Sequence, residues 1–325
     1  MHASSGQHRS GGPQRPRLLV VGSVALDSIT TPAGHAAEVL GGAATYSAIS
    51  AAFFTQVMLV GVVGTDFPKE HVDLLASRGI DLEGLHTAPG RTFRWSGRYE
   101  GDMNQAQTLD TQLGVFASFH PALPERYRDA EYVLLANIDP DLQLEVLDQV
   151  RSPRFVACDT MNFWIAGKRD SLLRVLSAVD LAFMNDAEVR QSTGETNLVR
   201  AARQVLELGP RAVVVKRGEH GASLFMRGEC CAVPSYPLDV VTDPTGAGDT
   251  FEGGFMGCIA STDDASSANL RRALAYGTVM ASFNVEDFSL RRLLSLTPRE
   301  IAQRFRELRS ISSFAEPNEP SLFDN

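Results

Sequence analysis

The chain has 325 residues, 44% of them hydrophobic, enough for one large α/β domain or two small ones around a buried core. Its 30 basic and 39 acidic side chains leave a formal net charge of -9, and no Lys/Arg block is present that would track a nucleic-acid backbone or an anionic membrane. Cys158, Cys230, Cys231 and Cys258 have neither C-x-x-C spacing nor matching histidines, so no disulfide framework or zinc site is indicated, and small-molecule chemistry in a reducing, cytoplasmic setting is expected.

Residues 1–16 are polar, rich in Gly and Ser and without the apolar stretch of a secretory signal, and are expected to form a disordered tail. Nowhere does an apolar run reach the roughly eighteen residues of a membrane span. From residue 17 onward short β-branched runs recur: RLLVVG (17–22), QVMLVG (56–61), EYVLLAN (131–137), RFVACD (154–159), DLAFMN (180–185) and RAVVVK (211–216). Helical patterns fall around 42–54, 68–78, 141–150, 170–178, 186–193 and 198–208. This alternation predicts an α/β fold, a doubly wound, mostly parallel sheet with helices on both faces and ligands at the carboxyl ends of its strands. Two stretches, 28–40 and 92–116, instead alternate polar and apolar residues as exposed strands do. They predict a small second sheet acting as a lid or an interface, with long surface loops as the alternative. Pairing of such lid strands between chains would make a homodimer. Residues 313–325 are expected to be an unstructured tail.

The stretch DPTGAGDTFEGGFMG (243–257) concentrates the chemistry. Gly246, Ala247 and Gly248 are small enough for an anion to approach the backbone at a helix start, and Phe251, Phe255 and Ile259 repeat every four residues behind them. Gly253, Gly254 and Gly257 each cost about 1 kcal/mol relative to Ala inside a helix, which implies close packing against another element or a ligand. A Walker loop is absent, and GAGDTF carries Phe251 where a dinucleotide fingerprint needs its third glycine. Asp249 has two readings. It either complements the helix dipole, worth about 0.3–1 kcal/mol, or accepts the proton of an attacking alcohol while the neighbouring N–H groups stabilise a phosphoryl group in transfer.

DPTGAGDTFEGGF resembles the C-terminal signature of the ribokinase-like (PfkB) carbohydrate kinases, and LGGAATYSAISAAF (40–53) resembles their N-terminal di-glycine signature, in the same order. The resemblance covers about residues 17–310 and implies a ribokinase-like domain over 17–312 with a small β lid. It implies Asp249 as catalytic base, with Gly246, Ala247 and Gly248 forming the anion hole. Asp243 and Thr245 match positions that hold a monovalent cation, potassium, and backbone carbonyls near Phe283, Glu286 and Phe288 would complete that site. An ordinary turn at a helix end is the alternative for 283–289. Asn185 and Glu188 match an N-x-x-E motif that positions magnesium, partly through water, and nucleotide phosphates, although the same spacing is also a capping box.

Within VVVKRGEHGASLF (213–225), Lys216, Gly218 and Gly221 match the nucleotide segment, a plain hairpin with an exposed Lys being the alternative, and Gly277 would border the adenine. Asp27 matches the family's hydroxyl-accepting aspartate, and Gly41 and Gly42 would bring backbone against the same substrate; otherwise they are turn and loop residues. Asn137, Arg98 and Trp95 are further candidates for reading the substrate, Trp95 serving equally well as lid core. The chain departs from ribokinase after the di-glycine, where Ala43, Ala44, Thr45 and Tyr46 replace Lys-Gly-Ala-Asn and remove the sugar-contacting Asn. The resemblance therefore implies an ATP- and magnesium-dependent kinase acting on a sugar or nucleoside. A catalytically silent binding relative would be expected to lose Asp249 first, and a nicotinamide oxidoreductase lacks its fingerprint after the first strand.

Overall fold

The computed structural model describes residues 17–101 and 103–313, so both expected tails lie outside the described residues apart from Ser313. Nine strands form the main sheet: β1 (Arg17–Val21), β4 (Gln56–Gly64), β5 (Asp81–Ala88), β8 (Tyr132–Leu135), β9 (Phe155–Asp159), β10 (Leu181–Asn185), β11 (Ala212–Lys216), β12 (Ala222–Met226) and β13 (Glu229–Val233). Their order is β13-β12-β11-β10-β9-β8-β1-β4-β5. All neighbours from β11 to β5 run parallel, and β12 and β13 turn back antiparallel at one edge. The strand order reverses between β1 and β8, and sheets of this kind bind ligands outside the carboxyl ends of strands at such a switch point.

Helices cover both faces: α1 (Ala43–Ala51), α2 (Lys69–Ser77), α3 (Pro140–Leu147), α4 (Asn162–Gly167), α5 (Arg169–Ala178), α6 (Asp186–Thr193), α7 (Leu198–Glu207), α8 (Ala247–Thr262), α9 (Ser267–Asn284), α10 (Arg291–Ser295) and α11 (Pro298–Ile311). Alternation along each strand divides the core. Leu18 and Val20 of β1 join Phe251, Phe255 and Met280 of α8 and α9, whereas Leu19 and Val21 join Val146, Leu176 and Val205 of α3, α5 and α7. The glycines of α8 serve helix packing. A Cβ on Gly253 would lie 2.2 Å from the Ser47 carbonyl of α1, and one on Gly254 would lie 2.8 Å from Met280 of α9. No described helix is long and apolar enough to cross a membrane.

The two irregular stretches pair as a four-stranded sheet, β3-β2-β6-β7, from β2 (Ala25–Thr31), β3 (Gly34–Gly41), β6 (Phe93–Tyr99) and β7 (Ala106–Gln112). This is the expected lid, and it excludes long surface loops. It begins three residues before position 28, which brings Asp27 into a strand rather than a turn. The inner face carries Ile29, Ala36 and Tyr99 packed on Phe288, and β7 is exposed along its length.

Candidate active site

The first turn of α8 is open. Gly246 precedes it at φ 71°, and a Cβ there would come within 2.4 Å of the Tyr46 ring, so both conformation and space require glycine. The Ala247 N–H donates to the Pro244 carbonyl at 3.1 Å, while the N–H groups of Gly248 and Asp249 meet no backbone acceptor among the described residues. Ser47 and Ser50 of α1 donate to the Asp249 and Thr250 carbonyls at 3.0 and 2.7 Å and fix the turn against the core. Burial pushes the Asp249 carboxyl up to about 6; Asp159 adds to this and Lys216 opposes it. An acid of that strength is ionised near neutral pH and still basic enough to take a proton.

On one side of this turn lies a cleft of about 540 Å³ lined by Lys216, Gly218, Gly221, Tyr236, Ala247 and Gly248, among others. Gly277 does not line it. Its Cα abuts Phe251 of α8, where a Cβ would meet the backbone at 2.8 Å, and Thr278 and Ala281 of α9 form the wall instead. Lys216 ends β11 and sends its ammonium inward, to Asp159 Oδ1 at 3.0 Å and Glu252 Oε1 at 2.5 Å, rather than into solvent. Asn185 and Glu188 form a complete capping box on α6, the Asn185 amide adding a second bond to the Glu188 carboxylate at 2.7 Å. Burial, with Asp159 nearby, nevertheless pushes Glu188 up to about 7, so the cap faces the charged centre as well. Asp159, Asp249 and Glu252 have carboxylate oxygens within 4.8 Å of one another.

On the other side is the lid. Asp27 is 4% exposed, and its carboxylate occupies the space above Gly41, where a Cβ would fall 1.9 Å from Oδ2. Gly42, at φ 94°, lies too close to the Ser23 carbonyl for any side chain. The di-glycine thus makes room for the aspartate. Burial pushes Asp27 up to about 7 against a stabilising bond from the Gly42 N–H, with Asp249 and Asp243 raising it further. Tyr46, where ribokinase has its Asn, is buried with its ring against Gly246; burial and the Asp27 and Asp243 charges hold its hydroxyl well above the usual tyrosine range.

Asp243 is fully buried and accepts the Thr245 and Ser289 N–H groups at 2.9 Å each. The Thr242 N–H reaches the Val285 carbonyl at 2.8 Å, so the two loops expected to hold a cation are adjacent. The Phe283 and Phe288 carbonyls already accept the Glu286 and Arg291 N–H groups, and the Glu286 side chain binds Arg292 and Arg304. Among the described residues no basic side chain pairs with Asp243 within 4.0 Å, which leaves a buried carboxylate held by N–H donors and raised by burial. The Thr245 hydroxyl donates to the Tyr99 hydroxyl of the lid at 3.4 Å.

The remaining substrate candidates divide by strand register. In the parallel pair β2/β6, Asp27 aligns with Trp95 and Thr30 with Arg98, so Trp95 shares the face of Asp27 and Arg98 lies on the opposite, outer face. Arg98 is exposed and pairs with Glu100 at 3.7 Å; its expected role in reading the substrate is not supported by this position. The Trp95 ring covers Gly97 and packs into the lid core. Asn137, beyond the end of β8, accepts the Trp164 indole N–H at 3.0 Å.

The sequence profile of the pfkB family carbohydrate kinases matches residues 16–295, which includes both the di-glycine and the α8 turn. The chain belongs to this family. It is a phosphotransferase with an alcohol as acceptor, on a ribokinase-like fold. It is 34% identical over 245 residues to the cytidine kinase of Thermococcus kodakarensis, covering 74% of this chain and 87% of that one. A nucleoside kinase of Burkholderia thailandensis in complex with inosine superposes with a TM-score of 0.74 at 19% identity, over 90% of this chain and 99% of that one. A fructokinase double mutant from Vibrio cholerae O395, with fructose, ADP and potassium bound, superposes with a TM-score of 0.75 at 18% identity, over 91% and 100%.

Asp159 and Glu252 escaped the sequence reading of this kinase. Each carried a signal. Asp159 is the last residue of a strand in a parallel sheet, a kind that binds ligands at its carboxyl ends, and Glu252 stands three residues beyond Asp249 in an otherwise apolar and glycine helix face.

Proposed function

We propose that this PfkB-family kinase transfers the γ-phosphoryl group of ATP to a sugar hydroxyl of a nucleoside, with Asp249 as general base. The observation that carries the reading is Asp249 on the open turn of α8, between the cleft lined by Gly218 and Gly221 and the buried lid carboxylate Asp27. The hydroxyl oxygen forms a bond to the γ-phosphorus, its proton passes to Asp249, and the bond to the β-phosphate oxygen breaks to release ADP. The Gly248 and Asp249 N–H groups face the charge that develops in transfer. Asp27 offers two acceptor oxygens, which suits a vicinal diol such as that of ribose. The nucleoside preference is supported by the identity to a cytidine kinase over most of both chains and by the loss of the ribokinase Asn at Tyr46.

Magnesium fits Glu188, a buried hard oxygen ligand whose carboxyl is raised by burial and by Asp159 nearby. Glu188 would hold the ion through water, and the ion would neutralise charge on the β- and γ-phosphate oxygens. Potassium fits Asp243, whose buried charge lacks a basic partner among the described residues. The test is a phosphorylation panel of cytidine, other nucleosides, ribose, fructose and inositols with ATP, magnesium and potassium. Faster turnover of a nucleoside than of any free sugar is expected. A free sugar as the best substrate would overturn the nucleoside assignment, and no turnover at all would favour a silent relative.

A further inference from the structure

Glu252 is an acid where a helix at the centre of a protein has no structural use for one. It is 0% exposed, preceded in α8 by Phe251 and followed by two glycines, and a hydrophobic residue of similar size would avoid the desolvation that burying it costs. Its Oε1 accepts the Lys216 ammonium at 2.5 Å, and its Oε2 has no hydrogen-bond partner among the described residues. Asp159, 4% exposed, takes the same ammonium at 3.0 Å from the end of β9. Two carboxylates from different elements thus hold one lysine.

The place where they hold it is informative. Lys216 arises from the last residue of β11, lines the nucleotide cleft and passes over the first turn of α8. A Cβ built on Gly248 would lie 3.3 Å from Nζ and 3.8 Å from Cδ and Cε. The ammonium therefore sits against the residue whose N–H meets no backbone acceptor among the described residues, beside Asp249. A lysine extended into solvent would serve an incoming phosphate only after paying for its own ordering, whereas this one is ordered before any ligand arrives.

We propose that Lys216 is a catalytic residue whose ammonium contacts the phosphoryl group in transfer, and that Glu252, with Asp159, is the positioning residue that holds it against Gly248. The inference rests on the assignment of the α8 turn as the phosphoryl site. In the step itself the hydroxyl oxygen bonds to the γ-phosphorus, the bond to ADP breaks, the hydroxyl proton goes to Asp249, and Lys216 keeps all its protons while offsetting the charge on the non-bridging oxygens.

The experiment measures kcat and both KM values for Lys216→Met, Glu252→Gln, their double variant and Asp249→Asn, with ATP and the best nucleoside of the panel. Lys216→Met is expected to lower kcat by about 10²–10³-fold, the range for a lost oxyanion donor, with the nucleoside KM unchanged. Glu252→Gln is expected to lower kcat by about 10-fold alone and to have no further effect once residue 216 is Met, because its contribution passes through the lysine. Additive losses from the two changes would make Glu252 a packing residue and overturn its positioning role. Lys216→Met unpairs both Asp159 and Glu252 and risks misfolding; the double variant removes the Lys216 and Glu252 charges, and circular dichroism checks the folding of both variants. Near-wild-type kcat in either lysine variant, alongside an inactive Asp249→Asn, would overturn the proposal and leave the base assignment standing. Near-wild-type kcat in Asp249→Asn would instead overturn the reading of the turn.

Discussion

The two sides of the α8 turn solve the problem of buried charge differently. On the nucleotide side Asp159, Glu188 and Glu252 surround a lysine that is held by ion pairs at 3.0 and 2.5 Å. On the lid side Asp27 and Asp243 are buried with backbone N–H donors and, among the described residues, no basic side chain bonded to them. On the proposed reading the first side would receive a polyanion, and it carries its own positive charge in Lys216. On the proposed reading the second side would receive a neutral polyol and a cation, and its two carboxylates have no cationic partner among the described residues. Asp249 stands at the junction, its carboxyl raised by burial and by Asp159 and lowered by Lys216.

The largest expected effect breaks the junction. Asp249→Asn keeps shape and the open turn, so ATP affinity should change little while kcat falls by about 10²–10⁴-fold, the usual contribution of a general base. Isothermal titration and steady-state rates check the two halves separately, and near-normal turnover would remove Asp249 from the chemistry.

A smaller effect is expected on the lid side alone. Asp27→Asn retains an acceptor for the Gly42 N–H but replaces one diol-facing acceptor with a donor. Loss of a charged hydrogen bond of about 1.5–3 kcal/mol corresponds to a rise of about 10–100-fold in the nucleoside KM. The ATP KM should hold, because Asp27 does not line the nucleotide cleft. Equal shifts in both KM values would mean that the two sides are not separate.

The contrast also marks what the amino-acid order made legible. The parallel sheet, the lid and the α8 turn follow from alternation and small-residue signatures, which are local. β5 went unanticipated because it is an edge strand with little buried surface, and β13 because ECCAV is short and mostly exposed. The orientation of Arg98 is a matter of register with β2, and one residue of slip would have reversed it. Asp159 and Glu252 lie 93 residues apart from each other in sequence and meet only because β9 ends beneath α8, so no local pattern joins them. The missing Cβ at Gly277 makes room for Phe251 rather than for a ligand, and both uses demand glycine.

The smallest expected effect concerns stability. Asp27, at about 7, holds its proton more tightly in the folded chain than its ordinary value of 3.8 allows in the unfolded one. The folded state then binds more protons between those values, so Asp27 costs stability as pH rises through that window and favours the folded state below it. Asp249 and Glu188, raised to about 6 and about 7, act in the same sense. Carboxylates that ion pairs and hydrogen bonds hold low, such as Asp66, Asp141 and Glu300, act oppositely but only as pH falls through the ordinary carboxylate range. His71, lowered by burial, also opposes from below its usual value. The melting temperature of the ligand-free protein should therefore fall from about pH 5 to about pH 8, and the fall should be shallower in Asp27→Asn, which leaves His71 untouched. Nucleoside should raise the melting temperature of the wild type more than that of the variant at the upper end of this range. A variant slope equal to that of the wild type would mean that Asp27 is ionised throughout, and that the lid side neutralises its charge by some route other than a bound proton.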